Sequence, residues 1–202
     1  MPCVSAIVTG RGTGTEKGTA GMDHTDHVAL LRGGIPSGGG VWADLGAGAG
    51  AFTLALADLL GPDAQIYAID RDAQALRALE QRMRVCFPAT TLYALVADYT
   101  RPLALPPLDG VVCANTLHFH RHTEQVVRLV RGCLRPAGGR LLIVEYNVDQ
   151  GTPWVPHPLP FRAWEMLAGR VGFAHTRLLV RRPSRFLREI YSAVSWDAAQ
   201  DG

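Results

Sequence analysis

Val41-Trp-Ala-Asp-Leu-Gly-Ala-Gly-Ala-Gly-Ala51 is a short apolar run followed by glycine at alternate positions, the pattern of a buried strand that turns into a helix. Alternate glycines let the backbone turn sharply and let a ligand approach the main chain closely. The first turn of the helix that follows offers N–H groups without partners inside the helix. This stretch therefore predicts a cofactor-binding loop.

Asp44 is the unusual member of the stretch, because it stands directly before the glycines. A dinucleotide site holds a pyrophosphate at such a turn, and a carboxylate in that place would repel it. Asp44 therefore favours a ligand with a cationic or amino-bearing end.

Polar residues end four predicted strands, at Asp44, Asp70, Asp98 and Asn115. Asp70 stands 20 residues beyond Gly50, about where nucleoside-binding folds place an acid for the ribose hydroxyls. In a parallel sheet the carboxyl ends of the strands share one edge, and ligands bind there. Turn chemistry alone is the alternative reading of the four residues, but their shared position favours one cleft.

The chain after Asn115 adds a histidine tract and a proline-rich loop. Thr116 to His122 contains three alternating histidines, but no carboxylate or cysteine stands in this run, so we predict no metal site. The loop from Tyr146 to Pro160 is long and contains four prolines, as expected for a substrate wall. Strands over 176–181 and 189–195 are predicted to form a closing hairpin.

Composition limits the class of protein. The chain has 202 residues, a formal net charge of +2 and four cysteines without a C-x-x-C pair, which argues against zinc and disulfides. No apolar run approaches the ~20 residues of a membrane span, and the N-terminus does not look like a secretory signal. We predict a disordered tail over 1–21, a single domain over 22–202, a cytoplasmic location and no nucleic-acid partner.

Four arginines cluster late in the chain, and their role is open. A solvated loop and strand end explains them most simply, whereas contact with an anionic substrate or RNA is the alternative. The four are Arg181, Arg182, Arg185 and Arg188.

Asp44-Leu-Gly-Ala-Gly-Ala-Gly50 closely resembles motif I of class I methyltransferases that depend on S-adenosylmethionine, and the resemblance extends from about Val41 to the final hairpin. Leu134-Arg-Pro-Ala-Gly-Gly139 resembles the L-x-P-G-G turn of that family before strand five, although Ala137 departs from the usual spacing. The resemblance implies an α/β, Rossmann-like seven-stranded sheet of order 3-2-1-4-5-7-6. In that fold strand 7 is antiparallel and helices cover both faces.

The resemblance also implies S-adenosyl-L-methionine as the cofactor. Asp44 then lies near the amino group of the methionine moiety, Asp70 near the ribose and Asp98 near the adenine amino group. The full set of predicted cofactor-binding residues is Asp44, Gly46, Gly48, Gly50, Asp70, Arg71, Asp98, Tyr99 and Asn115.

Subfamily signals point to a small organic acceptor. Strand four ends in Ala-Asn-Thr-Leu, which lacks the Asn/Asp-Pro-Pro-Tyr/Phe motif of amino-methylating nucleic-acid enzymes and the Pro-Cys of cytosine-5 enzymes. The tract from Asn115 to His118 resembles small-molecule methyltransferases of the quinone-biosynthesis type. Methyl transfer needs positioning more than it needs a base. If a general base is used, His118, His120 and Glu145 are the candidates by position.

Two other functions stay open at this stage. An oxidoreductase dependent on NAD(P) would also bind a nucleoside, and Val8 to Gly14 superficially resembles the glycine turn of short-chain dehydrogenases. Those enzymes use a Tyr and a Lys four residues apart, and no tyrosine of this chain has a lysine at that spacing. The second alternative is a non-catalytic module that binds S-adenosylmethionine. The oligomeric state does not follow from the sequence.

Overall fold

The computed structural model describes residues 22–36 and 38–197, so the predicted tail over 1–21 lies outside the described residues. Helices and strands alternate along most of the chain. The helices are α1 (His24–Arg32), α2 (Ala51–Leu60), α3 (Ala73–Cys86), α4 (Thr123–Cys133) and α5 (Phe161–Val171), with a 3-10 turn at Leu117–Phe119. The strands are β1 (Gly40–Leu45), β2 (Ala64–Asp70), β3 (Thr91–Val96), β4 (Gly110–Ala114), β5 (Arg140–Tyr146), β6 (His175–Pro183) and β7 (Glu189–Trp196).

The strands form one seven-stranded sheet in the order β3-β2-β1-β4-β5-β7-β6. The first five strands of that order run parallel, and β7 runs antiparallel to both β5 and β6. The predicted fold class, strand order and antiparallel strand 7 are confirmed.

Two hydrophobic cores lie on opposite faces of the sheet, because alternate side chains of each strand point to opposite faces. One core joins α1, α2 and α3 to residues such as Trp42 and Leu142. The other joins α4 and α5 to residues such as Leu45 and Ile143. The two central strands β4 and β5 are buried on both faces, as in other parallel sheets covered by helices.

Aspartate side chains cap the first turns of two helices, α1 and α3. Asp23 accepts a hydrogen bond from the Asp26 N–H, and the Asp26 carboxylate accepts one in return from the Asp23 N–H. Asp72 caps α3 by accepting from the N–H groups of Gln74 and Ala75. The Asp72 cap starts α3 directly after the loop that follows β2.

The connection from β3 to β4 has no helix. Residues 97–109 are irregular, as the prolines at 102, 106 and 107 predict. One consequence is that the face of β2 and β3 next to this connection carries partly exposed aromatic side chains, including the stacked rings of Tyr67 and Tyr93. Within residues 22–36 and 38–197, no helix is long and apolar enough to cross a membrane.

Candidate cofactor and acceptor site

The glycine loop between β1 and α2 has a left-handed backbone at alternate positions. Gly46, Gly48 and Gly50 have φ values of +77°, +52° and +87°. A Cβ on Gly50 would stand 2.1 Å from the Leu79 side chain, whereas a Cβ on Gly48 would meet no atom within 4 Å. Gly50 is therefore required for packing, and Gly48 borders open space where a ligand can approach the main chain.

Asp44 lies at the end of β1 and is only 1% exposed. Its carboxylate accepts a 2.6 Å hydrogen bond from the Thr53 hydroxyl on α2. Burial raises the pKa of Asp44 from 3.8 to about 7, and the Thr53 hydrogen bond opposes this rise. A cation bound beside this buried carboxyl group would favour its charged form and lower its pKa.

Asp70 connects the loop to the end of β2. One carboxylate oxygen accepts a 2.7 Å hydrogen bond from the Gly48 N–H, and the other accepts a 2.9 Å bond from the Asp72 N–H. Each carboxylate oxygen can accept further hydrogen bonds, so the ribose hydroxyls of a nucleoside remain possible donors. Asp70 therefore also holds the Gly48 backbone in the conformation that the loop needs.

Asp98 follows β3 and forms an ion pair with Arg71, which follows β2. Its other oxygen accepts from the N–H and the hydroxyl of Thr100, at 3.0 Å and 2.6 Å. The Arg71 guanidinium and the Thr100 hydroxyl hold the pKa of Asp98 well below its usual range. Asp98 is therefore a stable anion beside the strand ends.

Tyr99 contacts the end of β4 from the same edge. Its hydroxyl lies 3.2 Å from the Thr116 carbonyl oxygen and 2.6 Å from Nε2 of His120. The two rings meet edge to face, with centroids 5.2 Å apart. Burial lowers the pKa of His120 and raises that of Tyr99, so both side chains favour their neutral forms.

Asn115 directly follows β4 and has a positive φ of 53°, which is uncommon for a residue other than glycine. Both polar atoms of its side-chain amide are buried and have no hydrogen-bond partner. Strained backbone and unsatisfied polar groups are both costly, and they concentrate at binding sites. This amide is therefore a candidate contact for a polar ligand at the sheet edge.

His118 and Glu145 form a buried pair at the ends of β4 and β5, with exposed fractions of 2% and 0%. Nδ1 of His118 lies 2.6 Å from one Glu145 oxygen. The other oxygen accepts from the N–H groups of Leu117 and His118, at 3.0 Å and 3.3 Å. Because an ionised carboxylate only accepts, it fixes the proton of a neutral imidazole on Nδ1 and leaves Nε2 basic.

The structure brings the predicted residues to one edge of the sheet, since each lies at or shortly after the carboxyl end of a strand. Thr53 and Thr116 were not predicted. Thr53 stands nine residues after Asp44 within an apolar helix. A polar residue in an apolar helix indicates a buried hydrogen bond, and this was the available signal. Thr116 packs beside Gly46, where a Cβ would lie 2.3 Å from its methyl group, and only the fold shows this contact.

Aromatic side chains surround the same edge on the side of the closing hairpin. The ring of Tyr146, at the end of β5, lies 5.5 Å from that of Phe186 in the hairpin turn and 6.3 Å from that of His118. On α1, the buried His27 packs edge to face on Phe52, and burial lowers its pKa to about 4. These rings therefore pack in a largely buried, apolar layer beside the strand ends.

The described residues contain no group of three or more histidine, cysteine or acidic side chains that could hold a metal ion. Cys113 is buried in β4, and burial raises the pKa of its thiol well above the ordinary value. The cofactor predicted for the loop fits the residues present, since Gly48 faces open space and the Asn115 amide lacks a partner.

The sequence from residue 43 to residue 141 matches the family model described as a methyltransferase domain. A search of curated protein sequences gives no significant match. Solved structures give many matches, and an S-adenosylmethionine-dependent methyltransferase from Aquifex aeolicus is one of them. It is 16% identical, with a TM-score of 0.66 over 84% of this chain and 88% of the other.

Two further similar structures are named for different kinds of methyl acceptor. The CurJ carbon methyltransferase is 20% identical, with a TM-score of 0.65 over 82% of this chain and 50% of the other. Phosphoethanolamine N-methyltransferase 2 from Haemonchus contortus, solved with S-adenosylhomocysteine, is 16% identical, with a TM-score of 0.70 over 86% of this chain and 52% of the other. The chain thus spans about half the length of these two proteins.

The sheet order and the loop between β1 and α2 define a class I methyltransferase fold. Together with the match to the methyltransferase domain, they identify the chain as an S-adenosylmethionine-dependent methyltransferase. The predictions of the enzyme class and of the cofactor are confirmed, and the oxidoreductase interpretation is not supported. The quinone-biosynthesis type stays a prediction.

Proposed function

We propose that this enzyme methylates a small organic molecule whose acceptor atom loses a proton during the reaction, with His118 as the general base and Glu145 as the residue that orients it. The observation that carries the proposal is the 2.6 Å contact between His118 Nδ1 and the buried Glu145 carboxylate. A hydroxyl group or an acidic carbon fits such a base, whereas a neutral amine can attack without one.

The cofactor-binding assignment is part of the proposal. Asp44 would face the ammonium group of the methionine moiety, Asp70 the ribose hydroxyls, and Asp98 with Tyr99 the adenine. The Asn115 amide, which is buried without a partner, would contact the cofactor near β4. The main chain at Gly48 would lie against it, because no atom fills the space beside that residue.

S-adenosylmethionine supplies a methyl group already activated by its sulfonium. The protein's part is to orient the acceptor in line with that methyl group and to exclude water. The half-buried Phe186, which packs against Tyr146, would contact an apolar acceptor, and Nε2 of His118 would accept its proton. Glu145 would then stabilise the imidazolium through Nδ1.

The preference for a small-molecule acceptor over a nucleic acid rests on the low net charge of the chain. Formal net charge is only +2, and two of the late arginines have acidic partners, Arg182 with Asp26 and Arg181 with Glu189. A nucleic-acid enzyme would need a stronger positive field along its cleft. The acceptor therefore is expected to be bound by apolar contacts more than by charge.

Methyl transfer to panels of phenols, acidic carbon compounds and amines tests the proposal, with S-adenosylhomocysteine release as the readout. We expect activity on a phenol or a carbon acid. In that assay Glu145→Gln should lower kcat by about 10²–10⁴-fold, because the amide donates to Nδ1 and removes the base at Nε2. S-adenosylhomocysteine affinity should stay unchanged in this variant.

His122→Ala is the matched control, since His122 belongs to the same tract but is exposed. His120→Ala tests the other histidine. His118→Gln, which lacks the base, should lower kcat at least as far as Glu145→Gln does. A Glu145→Gln variant that loses thermal stability but keeps its kcat would assign the pair a structural role only.

A further inference from the structure

The edge strand β3 exposes an unusual amount of apolar surface. Seven large hydrophobic side chains are exposed in the described part of the chain, and three of them belong to β3: Tyr93, Leu95 and Val96. Val96 is 62% exposed. The connection that follows β3 is irregular and forms no helix over this strand. The apolar side chains therefore face solvent at the end of the sheet.

The two edges of the sheet differ in how they are protected. The other edge strand, β6, carries Arg177, Arg181 and Arg182, has a bulge between Leu178 and Val180, and ends at a proline. Such features keep an edge from pairing with another chain. In contrast β3, Thr-Leu-Tyr-Ala-Leu-Val, has no charge, no proline and a regular register with β2. The charges, proline and bulge that protect β6 from pairing with another strand are therefore all absent from β3.

The backbone of β3 presents a complete set of hydrogen-bonding groups outward. The Ala97 N–H bonds the Asp70 carbonyl, so odd-numbered residues of this strand face β2. Leu92, Ala94 and Val96 therefore direct their N–H and C=O groups away from the sheet, giving three donors and three acceptors.

A second copy of the same strand satisfies all of these groups. In an antiparallel pair centred on Ala94, each Ala94 faces its equivalent, and Leu92 faces Val96 of the partner subunit. These are the pairs that exchange two hydrogen bonds each in an antiparallel ladder. The arrangement obeys two-fold symmetry, in which the same surface patch serves both subunits.

The side chains fit the same register. Tyr93 would lie opposite Leu95 of the partner subunit on one face, and Leu92 opposite Val96 of the partner subunit on the other. Aromatic and aliphatic pairs of this kind stabilise antiparallel sheets, and like charges placed opposite each other destabilise them. No residue of β3 is charged, so self-pairing brings no like charges together.

We propose that two copies of this chain associate through antiparallel pairing of their β3 strands, centred on Ala94, to form a continuous sheet. Antiparallel strands direct their carboxyl ends to opposite sides, so the two sets of cofactor residues would lie at opposite ends of the paired strands. The interface is one strand wide, so we expect a reversible, concentration-dependent dimer.

Sedimentation velocity of the full chain over about a hundredfold range of concentration should show a monomer–dimer equilibrium. Val96→Lys should shift it to monomer, because each lysine would lie opposite an apolar Leu92. Met166→Lys is the matched control, because Met166 is also 62% exposed but lies on α5 and not on β3. The Met166→Lys variant should still form the dimer. S-adenosylhomocysteine binding should be retained by both variants.

Hydrogen exchange locates the interface. The amides of Leu92, Ala94 and Val96 should exchange more slowly at high than at low protein concentration. A chain that stays monomeric at every concentration overturns the proposal, as does a dimer that Val96→Lys leaves intact. Because cofactor binding is measured in the same samples, failure of dimerisation is distinguishable from failure of the proposed activity.

Discussion

The Thr53 hydroxyl donates a 2.6 Å hydrogen bond to the Asp44 carboxylate, and this contact joins the first turn of α2 to the end of β1 beneath the glycine loop. Burial nevertheless keeps the pKa of Asp44 at about 7, far above its ordinary 3.8. The enzyme thus holds an acid that is half protonated near neutral pH beside the expected position of a cationic ligand group.

Asp44 should make the free energy of unfolding depend on pH. Between about pH 4 and pH 7 the folded state binds the Asp44 proton and the unfolded state releases it, so stability falls as pH rises through this window. Above the folded-state pKa the carboxyl group is ionised in both states. The free energy of unfolding is then about 4 kcal/mol lower than it is below pH 4.

Asp44→Asn removes this titration. The stability of the variant relative to the wild type should therefore increase between about pH 4 and pH 7, measured as the difference in Tm at each pH. A constant difference between Asp44→Asn and the wild type at all pH values would contradict the buried-acid account.

Cofactor binding should release a proton from Asp44. A ligand ammonium group favours the carboxylate form, so binding near pH 7 lowers the pKa of Asp44 and expels the proton that part of the population carries. Calorimetric titration with S-adenosylhomocysteine in buffers of different ionisation enthalpy measures this release. Asp44→Asn should bind more weakly and release none. Identical enthalpies in all buffers for the wild type would place the ammonium away from Asp44.

Gly48 and Gly50 should respond differently to alanine. Gly50→Ala places its Cβ 2.1 Å from Leu79 in a left-handed backbone, so it should cost about 2–4 kcal/mol of stability. Gly48→Ala has open space and should cost about 1–2 kcal/mol. The loss of S-adenosylhomocysteine affinity should nevertheless be large in Gly48→Ala, because the added methyl group occupies the ligand's side of the loop.

Thermal unfolding and ligand titration of the two variants separate these effects. Equal losses of stability would show that the backbone conformation, and not contact with Leu79, sets the cost at Gly50. Unchanged affinity in Gly48→Ala would show that the ligand does not approach the loop at this position.

The strand ends could be predicted because they depend on local patterns, whereas the order of the strands followed from the resemblance to class I methyltransferases. The apolar strand before Gly46 and the acids at Asp70 and Asp98 have fixed places in the chain, and a parallel sheet brings strand ends to one edge. The contacts between the ends could not be predicted. The Arg71–Asp98 ion pair and the Tyr99–His120 contact join residues whose side chains meet only after the strands are in register.

The histidine tract shows the same limit. Sequence alone treats His118 and His120 alike, whereas the fold buries His118 against Glu145 and leaves His120 half-buried against Tyr99. The difference arises because the 3-10 turn at Leu117–Phe119 directs one ring under the end of β5. A three-residue turn of this kind has no periodic signal in the sequence.

Asn115→Gly separates stability from binding at the end of β4. Glycine adopts the positive φ of 53° without strain, and the change removes two buried amide atoms that have no partner. The apo variant should therefore be at least as stable as the wild type, even though glycine increases the entropy of the unfolded chain. S-adenosylhomocysteine affinity should fall about tenfold or more, since one hydrogen-bonding side chain at the cleft is lost.

Asn115→Ala is the control, because it also loses the amide but keeps the strained backbone and should be the less stable of the two. A glycine variant that is destabilised and binds normally would show that the Asn115 amide serves the fold and has no role in the cleft.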